Sequence, residues 1–224
     1  VFGTTGWPKH FLYFSPEKVE ALYAQITMRE RRKLAGQLEV DLKLVKGSIS
    51  FEAAPETFYS KLRLVLGHLD RENAVGSIQE PAQYVAGRLP MRWGTLGAVD
   101  GAVVFFAGES GDRVLGLGGS SGNVVGEPSG MESRRSGSNA PAMLDALRSA
   151  DPASPSDALA IRLLRGSESA GSAWELDALE TAVDVLPGVV QEVEFVARRL
   201  LEGVSRDGNR KVLLGTPLYV ALAD

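Results

Sequence analysis

Gly118, Gly119, Ser120, Ser121 and Gly122 fit the G-x-S-x-G pattern, in which a sharp strand-to-helix turn displays a serine as a nucleophile. Two features argue against that chemistry. Asn123, Val124, Val125 and Gly126 continue as an extended or turned piece rather than a helix, and the two histidines, His10 and His68, both precede the serine, against the chain order of α/β-hydrolases. The same region admits a second chemistry, because Gly116, Gly118 and Gly122 could leave backbone N–H groups free to converge on an anion. No helix start follows to add a positive dipole end, and no Gly-Lys-Ser or Gly-Lys-Thr supplies a P-loop lysine. Turn glycines in a β-rich region are the simpler explanation.

Ser15 and Lys18 match S-x-x-K at a helix start, where a lysine can act as base for a serine, but the companion S-D-N and K-T-G elements are missing. A helix N-cap explains Ser15 as well. With two distant histidines and no cysteine, no zinc motif is recognisable, although scattered carboxylates could hold magnesium or calcium. His68 lies near an apolar helical face and reads as structural. No metal site is therefore expected, no catalytic set is complete, and no cofactor is indicated. Leu89, Pro90, Met91, Arg92, Trp93 and Gly94 are harder to set aside, since a Trp beside an Arg can stack on a planar ligand or hold an anion. Burial of Trp93 in the core is the competing reading.

The elements that would position these residues are those of an ordinary globular chain of 224 residues, 44% hydrophobic and 23% charged. That length suits one core, so one domain over residues 1–224 is expected. A net charge of −4 repels a phosphate backbone on average, and the basic run Arg29, Arg31, Arg32 and Lys33 lacks interleaved aromatics, which makes nucleic-acid binding an unfavoured reading. Without cysteines, thiol chemistry and disulfides are excluded. No secretion-signal pattern and no membrane-length apolar run stands in the sequence, so a cytoplasmic protein is the expectation.

Phe11 to Phe14 form a β-prone run, and Ser15 and Pro16 open a helix whose Val19, Leu22, Tyr23 and Ile26 share one face. Leu38, Val40, Leu42 and Leu44 alternate with charges, predicting a long strand that continues past Gly47 to Phe51. Helical spacing returns at Phe58, Leu62, Val65, Leu66 and Leu69. Ala102 to Phe106 and Arg113 to Leu117 flank a turn-rich segment and predict a hairpin. Residues 118–141, rich in Gly, Ser and Asn, read as a long loop. Asn139 and the Ser172–Glu175 capping box open two further helices, and Leu159, Ile161 and Leu163 fit strand or helix equally. Val189, Val193, Val196, Ala197, Leu200 and Leu201 suggest another helix, ending at Gly203. The last run, Val212 to Leu222, is a strand that Pro217 confines to an edge or a bend. Together these predict an α+β fold, a mainly antiparallel sheet with helices packed against it.

Residues 11–15, 41–45, 89–94, 115–120, 193–201 and 212–224 together resemble a little-characterised actinobacterial family. The resemblance implies a role in bacterial conflict systems that carry caspase-like and TPR-containing proteins. It carries over no active-site residues.

The functional expectation is a non-enzymatic ligand-sensing or adaptor domain that binds a small anionic molecule or a protein partner. Arg92, Trp93, Gly116, Gly118, Gly119 and Ser120 are the ligand-binding candidates, each at the edge of a β-prone segment where an antiparallel meander can bring them together. One alternative is an enzyme with carboxylates, a metal or loop serines near Gly116 to Gly122. A second is a structural assembly subunit.

Overall fold

The computed structural model describes residues 9–43, 57–96, 103–126, 186, 189–204 and 209–223. The chain divides into two compact units, Val1–Lys9 with Ser15–Val75 and His10–Phe14 with Gly76–Asp224.

The first unit holds helices α1 (Pro16–Gln25), α2 (Met28–Lys43) and α3 (Phe58–Arg71). Ser15 occupies the α1 N-cap in extended backbone and is followed by proline at the first helical position, where the missing N–H costs nothing. Its side chain makes no capping bond. Thr27 and Glu30 close a reciprocal capping box at the start of α2: Glu30 N–H donates to Thr27 Oγ1 at 3.3 Å, and Thr27 N–H donates to Glu30 Oε2 at 3.1 Å. Arg31 then reaches back to the end of α1, donating to the Tyr23 and Ile26 carbonyls at 2.8 Å each while its guanidinium lies 3.8 Å from the Tyr23 ring centroid. Arg31 thus places a cation on the carbonyl end of α1, where the Tyr23 carbonyl also accepts from the Ile26 N–H at 3.1 Å. Thr57 caps α3, which buries Leu62, Val65, Leu66 and Leu69, and Lys61 bridges to Glu20 of α1 at 2.7 Å.

The second unit holds seven strands, β1 (Phe11–Phe14), β2 (Val75–Gly76, begun by the last residue of the first unit), β3 (Tyr84–Leu96), β4 (Val103–Ser110), β5 (Arg113–Ser120), β6 (Gln191–Val204) and β7 (Lys211–Leu222). Strand β3 pairs β4, β4 pairs β5, β5 pairs β7, β7 pairs β6 and β6 returns to β3, so five strands close on themselves. Every pairing in this ring is antiparallel except β5 with β7. The barrel is therefore mixed. Strand β1 adds to β7 beyond the end of β5 and brings Tyr13 to the interior.

Alternation along each strand selects the core: Leu89 and Met91 from β3, Val104 and Phe106 from β4, Leu115 and Leu117 from β5, Val193 and Phe195 from β6, and Leu213 from β7 point inward. The outward set on β4 and β7 is buried too, with Val103, Phe105, Val212 and Leu214 all 3% exposed or less. Such strands read as unbroken apolar runs. Near Pro217 the register of β7 against β6 shifts, and Val220 points inward although it lies seven residues from Leu213. An odd separation between two inward residues requires one extra residue between them, which is what a bulge inserts.

The expected antiparallel sheet with helices in the same chain stands, and α1, α3 and the β4–β5 hairpin occupy the places read for them, with Gly111 at φ +62° in its two-residue turn. Three expectations are overturned. The alternation from Leu38 belongs through Lys43 to helix α2, because Leu34, Leu38 and Leu42 fall at i, i+4 and i+8 and good helix formers surround them; its continuation to Phe51 lies outside the described residues. The helix read from Val189 to Gly203 is strand β6, since apolar side chains on both its faces mimic helical spacing. The loop read from Gly118 starts three residues late: Gly118, Gly119 and Ser120 end β5, and Ser121–Asn123 form one 3₁₀ turn. The helices read at Asn139 and Ser172, and the segment at Leu159, lie outside the described residues.

Strand β7 is no edge. Pro217 pairs with Ala197 of β6 at the bulge, beyond the last β5 pair at Gly215 and before the first β1 pair at Tyr219, where a missing N–H is tolerated.

Gly119 is required for packing rather than for backbone freedom, because a Cβ there would run into the hydroxyl and ring of Tyr13. Gly119→Ala should cost about 1–3 kcal/mol of stability by overpacking. The check is a urea titration: a lower midpoint at unchanged slope is expected, and a midpoint equal to the parent's would contradict this packing.

Candidate functional site

The pairing registers place every ligand-binding candidate. Arg92 faces Ala107, which faces Gly116; Trp93 faces Phe106, which faces Leu117; Gly94 faces Phe105, which faces Gly118; and Thr95 faces Val104, which faces Gly119. Arg92 and the glycines thus share one stretch of sheet with β4 between them. At about 4.8 Å per strand, the Arg92 and Gly116 backbones lie roughly 10 Å apart.

Faces separate what register brings together. Trp93 stacks on Phe106 with ring centroids 5.7 Å apart and packs against the core, while its Nε1–H donates to Gln191 Oε1 at 3.1 Å. Leu117 shares that inward face. Arg92, one residue earlier, points outward with Ala107 and Gly116. The Arg92 guanidinium and the Trp93 ring therefore do not share a face.

Gly116, Gly118, Gly119 and Ser120 all stand in β5 and are all buried. Gly116 is flanked by Ala107 of β4 on one side and Leu214 of β7 on the other, so its backbone serves the sheet rather than an open anion cradle. Ser120, 8% exposed and paired with Val103, leads into a single 3₁₀ turn instead of a helix. A nucleophile elbow needs the opposite arrangement, an exposed serine at the start of a helix.

Arg92 is half-buried and makes no hydrogen bond or salt bridge among the described residues. Four other arginines of the barrel are paired, Arg88 with Glu194 at 3.6 Å, Arg113 and Arg199 with the two oxygens of Glu202 at 2.7 and 2.8 Å, and Arg210 with Glu109 at 2.8 Å, whereas Arg198 is exposed on β6. The Arg113 bond, then that of Arg199, holds the Glu202 carboxyl below its usual pKa against the opposing effect of burial. Beyond the last β3–β6 pair, Met91 with Gln191, the chain continues to Arg92 on one strand and to Val190 and Val189, 50% and 80% exposed, on the other.

In the helical unit the structure assembles a group that the linear pattern did not suggest. Glu30, His68 and Glu72 each offer one ligand-type atom within 4.8 Å of the others. The signals were present as a capping box at Thr27 and Glu30 and as a His-x-x-x-Glu spacing at His68 and Glu72, but nothing in one dimension joins α2 to α3.

Burial lowers the Lys18 ammonium to about 8, with neighbouring Glu17 pulling the other way. The folded chain then binds fewer protons than the unfolded one between about pH 8 and the ordinary lysine value of 10.5, so stability rises with pH across that window. Lys18→Met should be more stable than the parent at pH 7 and should lose this rise. Thermal melts from pH 7 to 10 check it, and equal slopes for the two chains would contradict a buried ammonium.

No curated protein and no solved structure matches the chain. A family model does match, over residues 9–224, and by that near-complete coverage the chain belongs to DUF7019, a family of unknown function.

Proposed function

We propose that this chain is a non-enzymatic binding module, a ligand-sensing or adaptor domain that recognises an anionic group through Arg92. The observation that carries the reading is that Arg92, a half-buried residue, has no hydrogen-bond or ion-pair partner among the described residues. A partly desolvated charge that lacks a counter-charge raises the energy of the free protein, and an incoming carboxylate or phosphate relieves it with charge-assisted bonds. Arginine suits this role because its planar fork takes both oxygens of such a group at once. Val189 and Val190, exposed beside it, add apolar contact for the body of a ligand or of a partner side chain.

The glycines of β5 enter this reading as the wall behind the site, and Trp93 enters it as a brace, its ring stacked on Phe106 to hold the β3 backbone from which Arg92 projects. Buried Ser120 gives an enzyme at this position little support. The resemblance of residues 89–94 and 115–120 to an actinobacterial family supports placing the module in a bacterial conflict system, with caspase-like or TPR-containing proteins as its setting.

Purified protein screened by thermal shift against nucleotides, phosphorylated metabolites and dicarboxylates should show a stabilising ligand, or a pull-down should recover a partner. In either format Arg92→Ala should abolish binding while changing stability by no more than about 0.5 kcal/mol. Silence in both formats, or undiminished binding by Arg92→Ala, would sink the reading.

A further inference from the structure

We propose that Glu30, His68 and Glu72 form a binding site for one divalent transition-metal ion, with Zn²⁺ the best match, at the C-terminal end of α3. Three observations converge there. The three ligand-type atoms already lie within 4.8 Å of one another, so modest side-chain rotation brings all three onto an ion at about 2.0–2.2 Å. His68 and Glu72 are four residues apart at the end of one helix, the spacing that puts two ligands on one face. The His68 Nδ1 nitrogen is sealed from solvent and has no hydrogen-bond partner.

That last point is the most informative. A buried nitrogen left unsatisfied destabilises the folded chain, and metal coordination is one way to recover the loss. If Nδ1 is itself the ligand, its lack of a protein partner is what an unliganded site shows.

Glu30 is positioned independently of any ion. Its Oε2 accepts from the Thr27 hydroxyl at 2.7 Å and from the Thr27 N–H at 3.1 Å, which leaves Oε1 available. The carbonyl ends of α3 contribute negative potential at the same place. Two carboxylates balance the charge of a divalent ion, and one imidazole with two carboxylate oxygens suits zinc better than an all-oxygen ion such as magnesium. Three protein ligands leave a fourth position for water or for a partner's donor.

Arg71 is the opposing feature, because its charge competes with a cation for Glu30. Its removal should tighten binding.

Isothermal titration of the chelator-stripped full chain with ZnCl₂ should give one site, and Co²⁺ in its place should produce the visible absorption of a low-coordinate ion. His68→Ala and, separately, Glu72→Gln should each weaken Zn²⁺ by at least about tenfold, within the range usual for disrupted metal sites. Glu30→Gln keeps the capping box, since glutamine serves at that position, and should weaken binding without unfolding α2. His10→Ala, which removes the other histidine, should leave the affinity unchanged, and Arg71→Gln should raise it. Circular dichroism of the metal-free variants separates lost binding from lost fold. Absence of a saturable site in the parent, or retention of full affinity in folded His68→Ala and Glu72→Gln, would overturn the proposal.

Discussion

A five-stranded barrel encloses so little volume that several of the large side chains inside it occupy space left by a glycine, and this constraint organises the second unit. Tyr13 fits because position 119 is glycine. Ile78 lies over Gly87 in the same way, and Leu117 lies against Gly215, where a Cβ would stand 3.0 Å from its Cδ2. At native packing density there is no slack to absorb an added methyl group. These glycines are therefore the complement of Tyr13, Ile78 and Leu117, which share the interior with Phe106 and Phe195. Closure itself depends on β7, which pairs with β6 along one edge and with β5 and then β1 along the other. The bulge beside Pro217 keeps both halves of that strand facing the core while its neighbour changes.

Because the interior is committed to packing, the recognition proposed for Arg92 falls to the outside of the barrel. A glycine run in a wall strand has its backbone engaged by neighbouring strands, so it makes a poor anion cradle whatever its composition. The same alternation that turns Trp93 inward turns Arg92 outward, and one residue of β-structure thus divides a pair that looks like a single site in the sequence. What remains outside is Arg92, without a counter-charge among the described residues and next to the exposed Val189 and Val190. The paired arginines show the contrast: Arg113, 4% exposed, is held by Glu202, and its burial is structural.

Several elements were legible because a local signal and the final fold agreed. Pro16 and the stripe from Val19 to Ile26 mark α1, the stripe from Phe58 to Leu69 marks α3, and the Gly111 turn marks the β4–β5 hairpin. Misreadings arose where two periodicities fit the same residues. Leu34, Leu38 and Leu42 satisfy a helix while Leu38, Val40 and Leu42 satisfy a strand, and the helix formers around them decide the outcome. In β6, burial of Val193, Phe195, Val196 and Ala197 on both faces removes the polar alternation that identifies a half-exposed strand. Glycine was the most misleading residue, because the sequence cannot show that a side chain more than a hundred residues away, Tyr13, occupies the space it leaves. The meeting of Glu30 with His68 was invisible for the same reason: the contact is tertiary.

The central claim is that the Gly116 to Ser120 run is the buried wall of a closed barrel and not a ligand-binding loop. Amide hydrogen exchange followed residue by residue tests it most directly, since wall amides open only with the barrel whereas loop amides exchange through local fluctuations. The account predicts that the amides of Gly116 and Leu117, in the stretch of β5 paired on both sides, are as slow as those of Leu213 and Leu214 in β7. Exchange at Gly116 and Leu117 as fast as at the exposed turn residues Gly111 and Asp112 would contradict it.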